Sequence, residues 1–154
     1  MNVQSRVEDN FRSTPLHLAV EVGSEIIVRN LILAGSNVND VTTHKQTALH
    51  MAAEHDFHEI ASILLENQIN YEAVDLNINN ALHIACQKSN YKTCKVLLSE
   101  SEINAEALNL KGQNPLHCLC QYGNHENAEA IFELFMSSMD KYPINKCDSE
   151  GYVD

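Results

Sequence analysis

One four-residue phrase occurs four times along this chain at an almost constant interval. It begins at positions 14, 47, 80 and 114, so successive copies lie 33, 33 and 34 residues apart, and each copy ends in Leu-His. A fixed period of about 20–50 residues indicates stacked supersecondary units, each of which buries its apolar face only against its neighbours. The spacing therefore predicts an elongated array whose long surface is suited to binding other proteins.

Composition and charge restrict the partners of such an array. The 154 residues are 44% hydrophobic and 20% charged, a balance typical of a packed domain, and the net charge is −11. This charge disfavours nucleic acid and direct contact with an anionic membrane, because both attract basic surfaces. No apolar segment reaches the length of about 20 residues that a membrane span needs. We therefore expect another protein as the partner.

The five cysteines point to a reducing environment. They form no Cys-x-x-Cys pair, and no signal-peptide pattern follows Met1. We therefore expect a cytoplasmic protein in which the thiols act as small apolar side chains. Four of them occupy positions that are apolar in the other copies, and we expect these to be buried: Cys86, Cys94, Cys118 and Cys120.

The first copy of the phrase shows how one unit is expected to fold. Thr14 can cap a helix that begins at Pro15, and Gly23 supplies the left-handed residue that ends it. A second helix is expected from about Glu25 to Leu33. Its apolar residues recur at helical spacing and are expected to be buried: Ile27, Val28, Leu31 and Ile32.

The phrase, its period and the paired helices resemble the ankyrin-repeat family over nearly the whole chain. The resemblance implies an all-α ankyrin-repeat solenoid of helix-turn-helix units joined by β-hairpin-like fingers. We place repeats at 8–40, 41–73, 74–107 and 108–146, with a remnant of a preceding repeat or linker at 1–7 and the truncated start of a further repeat at 147–154.

Threonine and histidine of the phrase have a structural role in that family, where they fix the turn before the first helix by hydrogen bonds within and between repeats. The resemblance assigns this role to Thr14, His17, Thr47, His50, His83 and His117. The chain departs from the family pattern in several places. Lys45, Ile78, Asp56 and Ser89 stand where glycine is usual, and Asn80 and Asn114 replace the threonine.

The fourth repeat is longer than the others. A helix is expected from Ala128 to Met139, with Pro143 at its exit. Because the array is expected to be cut at both ends, apolar residues there should be partly uncovered, namely Leu18, Val20, Phe132 and Phe135. The chain should then be a monomer or associate weakly end to end.

Segments outside the general repeat pattern resemble a narrower group of ankyrin-repeat proteins that also carry a BTB domain and a FYVE zinc finger. These segments are 23–31, 79–83 and 121–132. The resemblance implies part of an effector of an endosomal Rab GTPase in endocytosis and macropinocytosis, peripheral to early endosomes in the full-length protein. The partner would be that GTPase or an endocytic adaptor. Neither of the two additional domains is present, so we expect no cofactor.

Catalytic and metal-binding patterns have simpler explanations. His50, His55 and His58 form a histidine cluster, but the fourth position after His58 is Ser62, so a zinc-binding helix face is not formed. No nucleophile and base pair or phosphate-binding loop occurs. We therefore expect no metal site and no enzyme activity.

Partner-binding residues are expected on the concave side, which the finger tips and the solvent face of each first helix would line. Apolar groups there suggest a contact patch, although single exposed apolar residues are ordinary on protein surfaces. The alternative is a structural spacer without a partner of its own. The candidate binding residues are Phe11, Val22, His44, His55, Leu76, Lys88, Leu110 and Tyr122.

Overall fold

A computed structural model describes residues 12–100 and 103–137, and this part of the chain consists of helices joined by turns and loops. The helices form four consecutive pairs, so the expected all-α solenoid is confirmed. Their bounds are α1 Pro15–Val22, α2 Glu25–Leu33, α3 Ala48–Glu54, α4 His58–Glu66, α5 Ala81–Gln87, α6 Tyr91–Ser99, α7 Pro115–Tyr122 and α8 His125–Met136.

The helices stack in two rows. The first helices of the pairs pack in the order α1, α3, α5 and α7, and the second helices pack in the order α2, α4, α6 and α8. The core lies between the rows and holds fully buried leucine and isoleucine side chains such as Leu49, Leu82 and Ile60. Each pair thus buries its apolar face against the next, as the sequence period predicts.

Each first helix begins with the same reciprocal cap. The side chain at position 14, 47, 80 or 114 accepts a hydrogen bond from the backbone of the histidine three residues later, and that histidine accepts one from the cap backbone. Two orphan amide groups are satisfied at the start of each first helix. The repeated phrase is therefore a helix-start signal.

The fingers, each numbered by the helix pair that it precedes, are hairpin-like turns. In the third finger the amide of Asp75 donates to the carbonyl of Asn79 at 3.0 Å, and in the fourth the amide of Asn109 donates to that of Gln113 at 2.9 Å. Neighbouring fingers are linked, because the amide of Leu110 donates to the carbonyl of Asn77 at 2.8 Å. The fingers therefore form one continuous shelf beside the first helices.

Several burial predictions were wrong at the ends of the described array. Ile27 is 48% exposed, and Val28 is the one buried residue of α2. Among the described helices α2 packs against α1 and α4, so part of its stripe has no neighbour there. Conversely, Val20 and Phe135 are buried although we expected them to be uncovered, and Phe132 is exposed as expected.

The fourth pair also differs in its details. Helix α8 has 12 residues against 9 in the second helices before it, so it is longer, but it begins at His125 rather than Ala128. Met139, Pro143 and residues 147–154 lie outside the described part. Cys86, Cys94 and Cys118 are buried as expected, but Cys120 is exposed. In the earlier pairs the following pair covers this position, and none is described after α8.

Candidate functional site

A groove of about 540 Å³ lies on the concave side, between the third and fourth fingers and the ends of two first helices. Lys88 is the C-cap of α5, and Tyr122 is the last residue of α7. Leu110 and Lys111 come from the tip of the fourth finger. Residues from three separate segments thus meet at one site.

A hydrogen bond joins the finger to the helix at this groove. The ammonium group of Lys111 donates to the hydroxyl oxygen of Tyr122 at 2.7 Å. The same nitrogen lies 5.3 Å from the centre of the tyrosine ring, within the range of a cation–π attraction. These contacts hold a cation and an aromatic ring side by side at the surface.

Amide side chains form the polar floor of the groove. Gln113 is only 2% exposed, and its backbone amide donates to Oδ1 of Asn109 at 3.0 Å. Nδ2 of Asn109 donates to Oδ1 of Asn79 at 3.1 Å, which links the two fingers. Nε2 of Gln113 donates to Oε1 of Gln121, while Oε1 of Gln113 has no hydrogen-bond partner among the described residues.

Lys88 provides the second cation. Its ammonium group lies 3.9 Å from Oε1 of Glu54 on the preceding helix pair, and both side chains are substantially exposed. Such an exposed ion pair contributes little to stability. Lys88 can therefore exchange this carboxylate for one on a partner at low cost.

The structure brings three of the candidate binding residues together. Lys88, Leu110 and Tyr122 line the groove, with Leu110 66% exposed and Tyr122 42% exposed. Leu76 is also exposed on the neighbouring finger, where its amide donates to the carbonyl of His44 at 3.2 Å, but it does not line the groove.

The remaining candidates are dispersed. Val22, at the end of α1, is 76% exposed, and the ring of His55 lies 5.5 Å from that of Phe57. None of the three candidates Val22, His55 and His44 lines the groove. Phe11 lies outside the described residues.

Two histidines of the phrase, His50 and His83, contact the next finger as well as their own turn. Nε2 of His50 donates to the carbonyl of Asn79, and Nε2 of His83 donates to the carbonyl of Gln113, both at 3.0 Å. Burial lowers the pKa of both imidazoles, in His83 to about 4, although these hydrogen bonds act in the opposite direction. Both rings are therefore neutral near pH 7 and support the groove floor from below.

The described residues show neither a metal-binding cluster nor a thiol activated for reaction near pH 7. They contain no group of three or more His, Cys, Asp or Glu side chains that could hold a metal ion. Burial raises the pKa of Cys86 well above its usual value and that of Cys118 to about 11, so neither is a reactive thiolate near pH 7. Among the same residues, no helix is both long and apolar enough to cross a lipid bilayer.

Comparison with protein families agrees with this geometry. A family model described as ankyrin repeats (3 copies) matches residues 1–75 and 69–142. The chain belongs to the ankyrin-repeat family. The helix pairs, fingers and capping histidines described above are therefore those of ankyrin repeats.

Two curated relatives match almost the whole of this ankyrin-repeat chain. Rabankyrin-5 of Mus musculus and of Homo sapiens are each 57% identical to it over 150 residues, which is 97% of this chain and 13% of the relative. B-cell lymphoma 3 protein homolog of Mus musculus is 38% identical over 92 residues, covering 54% of this chain and 20% of that protein. The chain thus spans about an eighth of the length of the rabankyrin-5 proteins it resembles.

Lys111 and Gln113 line the groove but are not among the candidate binding residues predicted from the sequence. Both are polar residues of the fourth finger, and the predicted contact patch depended mainly on apolar groups. Gln113 is also buried. Lys111 lies in the finger and Tyr122 at the end of the first helix of the same ankyrin repeat. This pairing of a cation with an aromatic residue is the sequence signal that could have identified Lys111.

Proposed function

We propose that this ankyrin array is a non-enzymatic protein-interaction module whose binding site is the groove between the third and fourth fingers. The observation that supports this is the exposed pair Leu110 and Tyr122 beside a buried amide floor. Apolar anchors surrounded by polar groups are the usual pattern of an interface centre.

In the longer protein the module would act as part of an effector of an endosomal Rab GTPase, in endocytosis and macropinocytosis. Its similarity to rabankyrin-5 over 97% of the chain supports this assignment. The direct partner would be the GTPase itself or an endocytic adaptor, and the protein would be cytoplasmic and peripheral to early endosomes.

A binding titration tests the site. Proximity labelling with this chain first supplies a partner, which is then purified and titrated against wild type, Tyr122→Ala and Glu129→Ala. We expect Tyr122→Ala to weaken binding about thirtyfold, or roughly 2 kcal/mol, and Glu129→Ala, which is exposed on α8, to bind as wild type does. Equal affinities of the two variants would contradict the proposed site.

The Rab assignment has its own test. Purified endosomal Rab GTPases, loaded with a non-hydrolysable GTP analogue or with GDP, are titrated against the chain. An effector binds the GTP form preferentially. Absence of binding to either form would assign the GTPase contact to another part of the longer protein, and failure to label any partner would favour a structural spacer.

A further inference from the structure

The charge of the groove is opposite to that of the whole chain. The sequence has 21 Asp plus Glu against 10 Lys plus Arg, but the charged residues that line the groove in the described part are Lys88 and Lys111. Attraction between exposed charges acts mainly within about 8 Å at physiological salt. A ligand in the groove therefore experiences the two lysines more strongly than the acidic residues farther away. The nearest carboxylates are engaged, Glu54 with Lys88 and Asp75 with the backbone amides of Asn77 and Asn79.

Both ammonium groups are held in positions that a carboxylate can reach. The hydroxyl oxygen of Tyr122, a neutral acceptor, positions Lys111 at 2.7 Å. Lys88 is held by a single exposed carboxylate at 3.9 Å, an arrangement that exchanges readily with another anion.

The groove floor contains an unpaired hydrogen-bond acceptor. Oε1 of Gln113 is buried and lacks a partner among the described residues, so a ligand gains by supplying an N–H group to it once the side-chain amide turns toward the groove. A peptide backbone has such N–H groups. A phosphate ion has none, which makes a peptide the better match for a site that combines lysines with an unpaired carbonyl oxygen.

The rim of the groove adds apolar contact area. Leu110 is 66% exposed at the tip of the finger, and the ring of Tyr122 faces the same groove. A leucine-sized or aromatic side chain packed there would remove apolar surface from water. The ligand should therefore carry an apolar residue next to its acidic ones.

We propose that this groove selects an extended acidic segment of its partner protein, in which carboxylates pair with Lys88 and Lys111 and an apolar side chain packs on Leu110 and Tyr122. A backbone N–H of the segment donates to Oε1 of Gln113 after the side-chain amide of Gln113 turns toward the groove. This inference rests on the proposed function and specifies the chemistry of the partner at the same site.

Two fluorescent peptides test the selection. One has a central leucine flanked on both sides by glutamates, and in the other glutamine replaces each glutamate. Each is titrated by fluorescence anisotropy against the whole chain. We expect the glutamate peptide to bind at least fivefold more tightly and to lose that advantage at high salt. Equal affinities, or no binding of either peptide, would overturn the proposal.

A pair of double variants separates the groove from net charge. Lys88→Gln/Lys111→Gln removes the two groove cations, and Lys92→Gln/Lys95→Gln removes two exposed lysines of α6, with the same change in net charge. The groove variant should bind the glutamate peptide about fivefold more weakly, and the control should stay within twofold of wild type. Equal weakening of both would show an effect of net charge alone and would overturn the proposal.

Two further outcomes are distinguishable. A labelled partner could bind Tyr122→Ala more weakly than wild type but bind the Lys88→Gln/Lys111→Gln variant with wild-type affinity. This result would overturn the selection of an acidic segment and leave the protein-binding function intact. Analytical ultracentrifugation of the chain alone shows whether it self-associates, as it would if a second copy occupied the groove. Self-association abolished by the lysine substitutions would overturn the proposal in favour of a homodimer.

Discussion

The carboxylate of Asp56, in the turn after α3, caps α6 of the following repeat through Thr93. Oδ1 of Asp56 accepts hydrogen bonds from the backbone amide of Thr93 at 3.0 Å and from its hydroxyl group at 2.9 Å. The N-cap residue of α6, Asn90, makes no side-chain cap hydrogen bond, and its amide group donates to the carbonyls of Ala53 and Glu54. An aspartate in place of the usual turn glycine therefore links two repeats.

Removal of this cap should destabilise the array. Asp56→Ala should lower the free energy of unfolding by about 1–2 kcal/mol, because the amide and hydroxyl of Thr93 lose their acceptor. Asp56→Asn retains an acceptor oxygen and tolerates the positive φ of 57° at this position, so it should cost less than half as much. Urea denaturation compares the three proteins, and an alanine variant as stable as wild type would show that the cap contributes nothing.

Loss of an inter-repeat histidine should also destabilise the fold. His83→Ala leaves the carbonyl of Gln113 without its 3.0 Å hydrogen bond and creates a cavity in the core, so we expect a loss of about 1–3 kcal/mol. His55→Ala is the matched control, because His55 is exposed and the change should stay within about 0.5 kcal/mol. Thermal and urea unfolding measure both, and equal stabilities would remove the structural role of His83.

Stability should fall in mild acid. The pKa of His83 is lowered by burial from its ordinary value of 6.5 to about 4, so the unfolded chain binds more protons between these values. The contribution is complete above pH 6.5 and is lost as the pH falls toward 4, with about 2 kcal/mol lost between pH 7 and 5. Burial of His50 acts in the same direction. Urea unfolding at both pH values should show a smaller loss for His83→Gln than for wild type.

Asn80→Thr should stabilise the third repeat. Nε2 of His83 donates to a carbonyl, so Nδ1 of the neutral ring is an acceptor, yet it lies 2.8 Å from Oδ1 of Asn80, which is also an acceptor. A threonine hydroxyl can donate to Nδ1, as Thr47 does to His50 at 2.9 Å. We expect a net gain of about 0.5–1 kcal/mol, because the 3.3 Å bond from Nδ2 of Asn80 to Asn104 is lost. A urea midpoint unchanged or lowered by the substitution would contradict this assignment of ring protons.

Ile78→Gly should stabilise the third finger. Ile78 has a φ of 60°, a left-handed conformation that is unfavourable for a β-branched residue, and its side chain is 43% exposed. Relief of this strain should outweigh the lost contacts and the added chain entropy by roughly 0.5 kcal/mol. Val74→Gly, also in the third finger and 38% exposed, is a control that should destabilise. If Ile78→Gly lowers the denaturation midpoint as Val74→Gly does, strain at Ile78 is ruled out.

Local signals were the most predictable part of this protein. Thr14, Pro15 and Gly23 lie at the helix ends expected for them, and α2 begins and ends where its pattern predicts. Each of these features depends on contacts within a few residues, so it can be derived from the sequence around it. The 33-residue period extends this knowledge to the stacking of the repeats.

Burial at the ends of the array was less predictable. Ile27 and Cys120 have the character of core residues, but both are exposed in the described structure. In a solenoid the core position of a residue depends on the presence of the neighbouring repeat as well as on its own pattern. Val20 is covered for the same reason, since α3 packs against α1.

The sequence by itself determined the repeat, its helix caps and the family, because these follow from local hydrogen bonding and a fixed period. Only the tertiary structure decided the geometry of the groove proposed as the binding site. Lys111 reaches Tyr122 across 11 residues of chain, and Gln113 is buried beneath them while it accepts from His83 of the preceding repeat. Such convergence depends on how the fingers and helices of adjacent repeats are positioned in space, and a one-dimensional pattern does not encode the direction of those side chains.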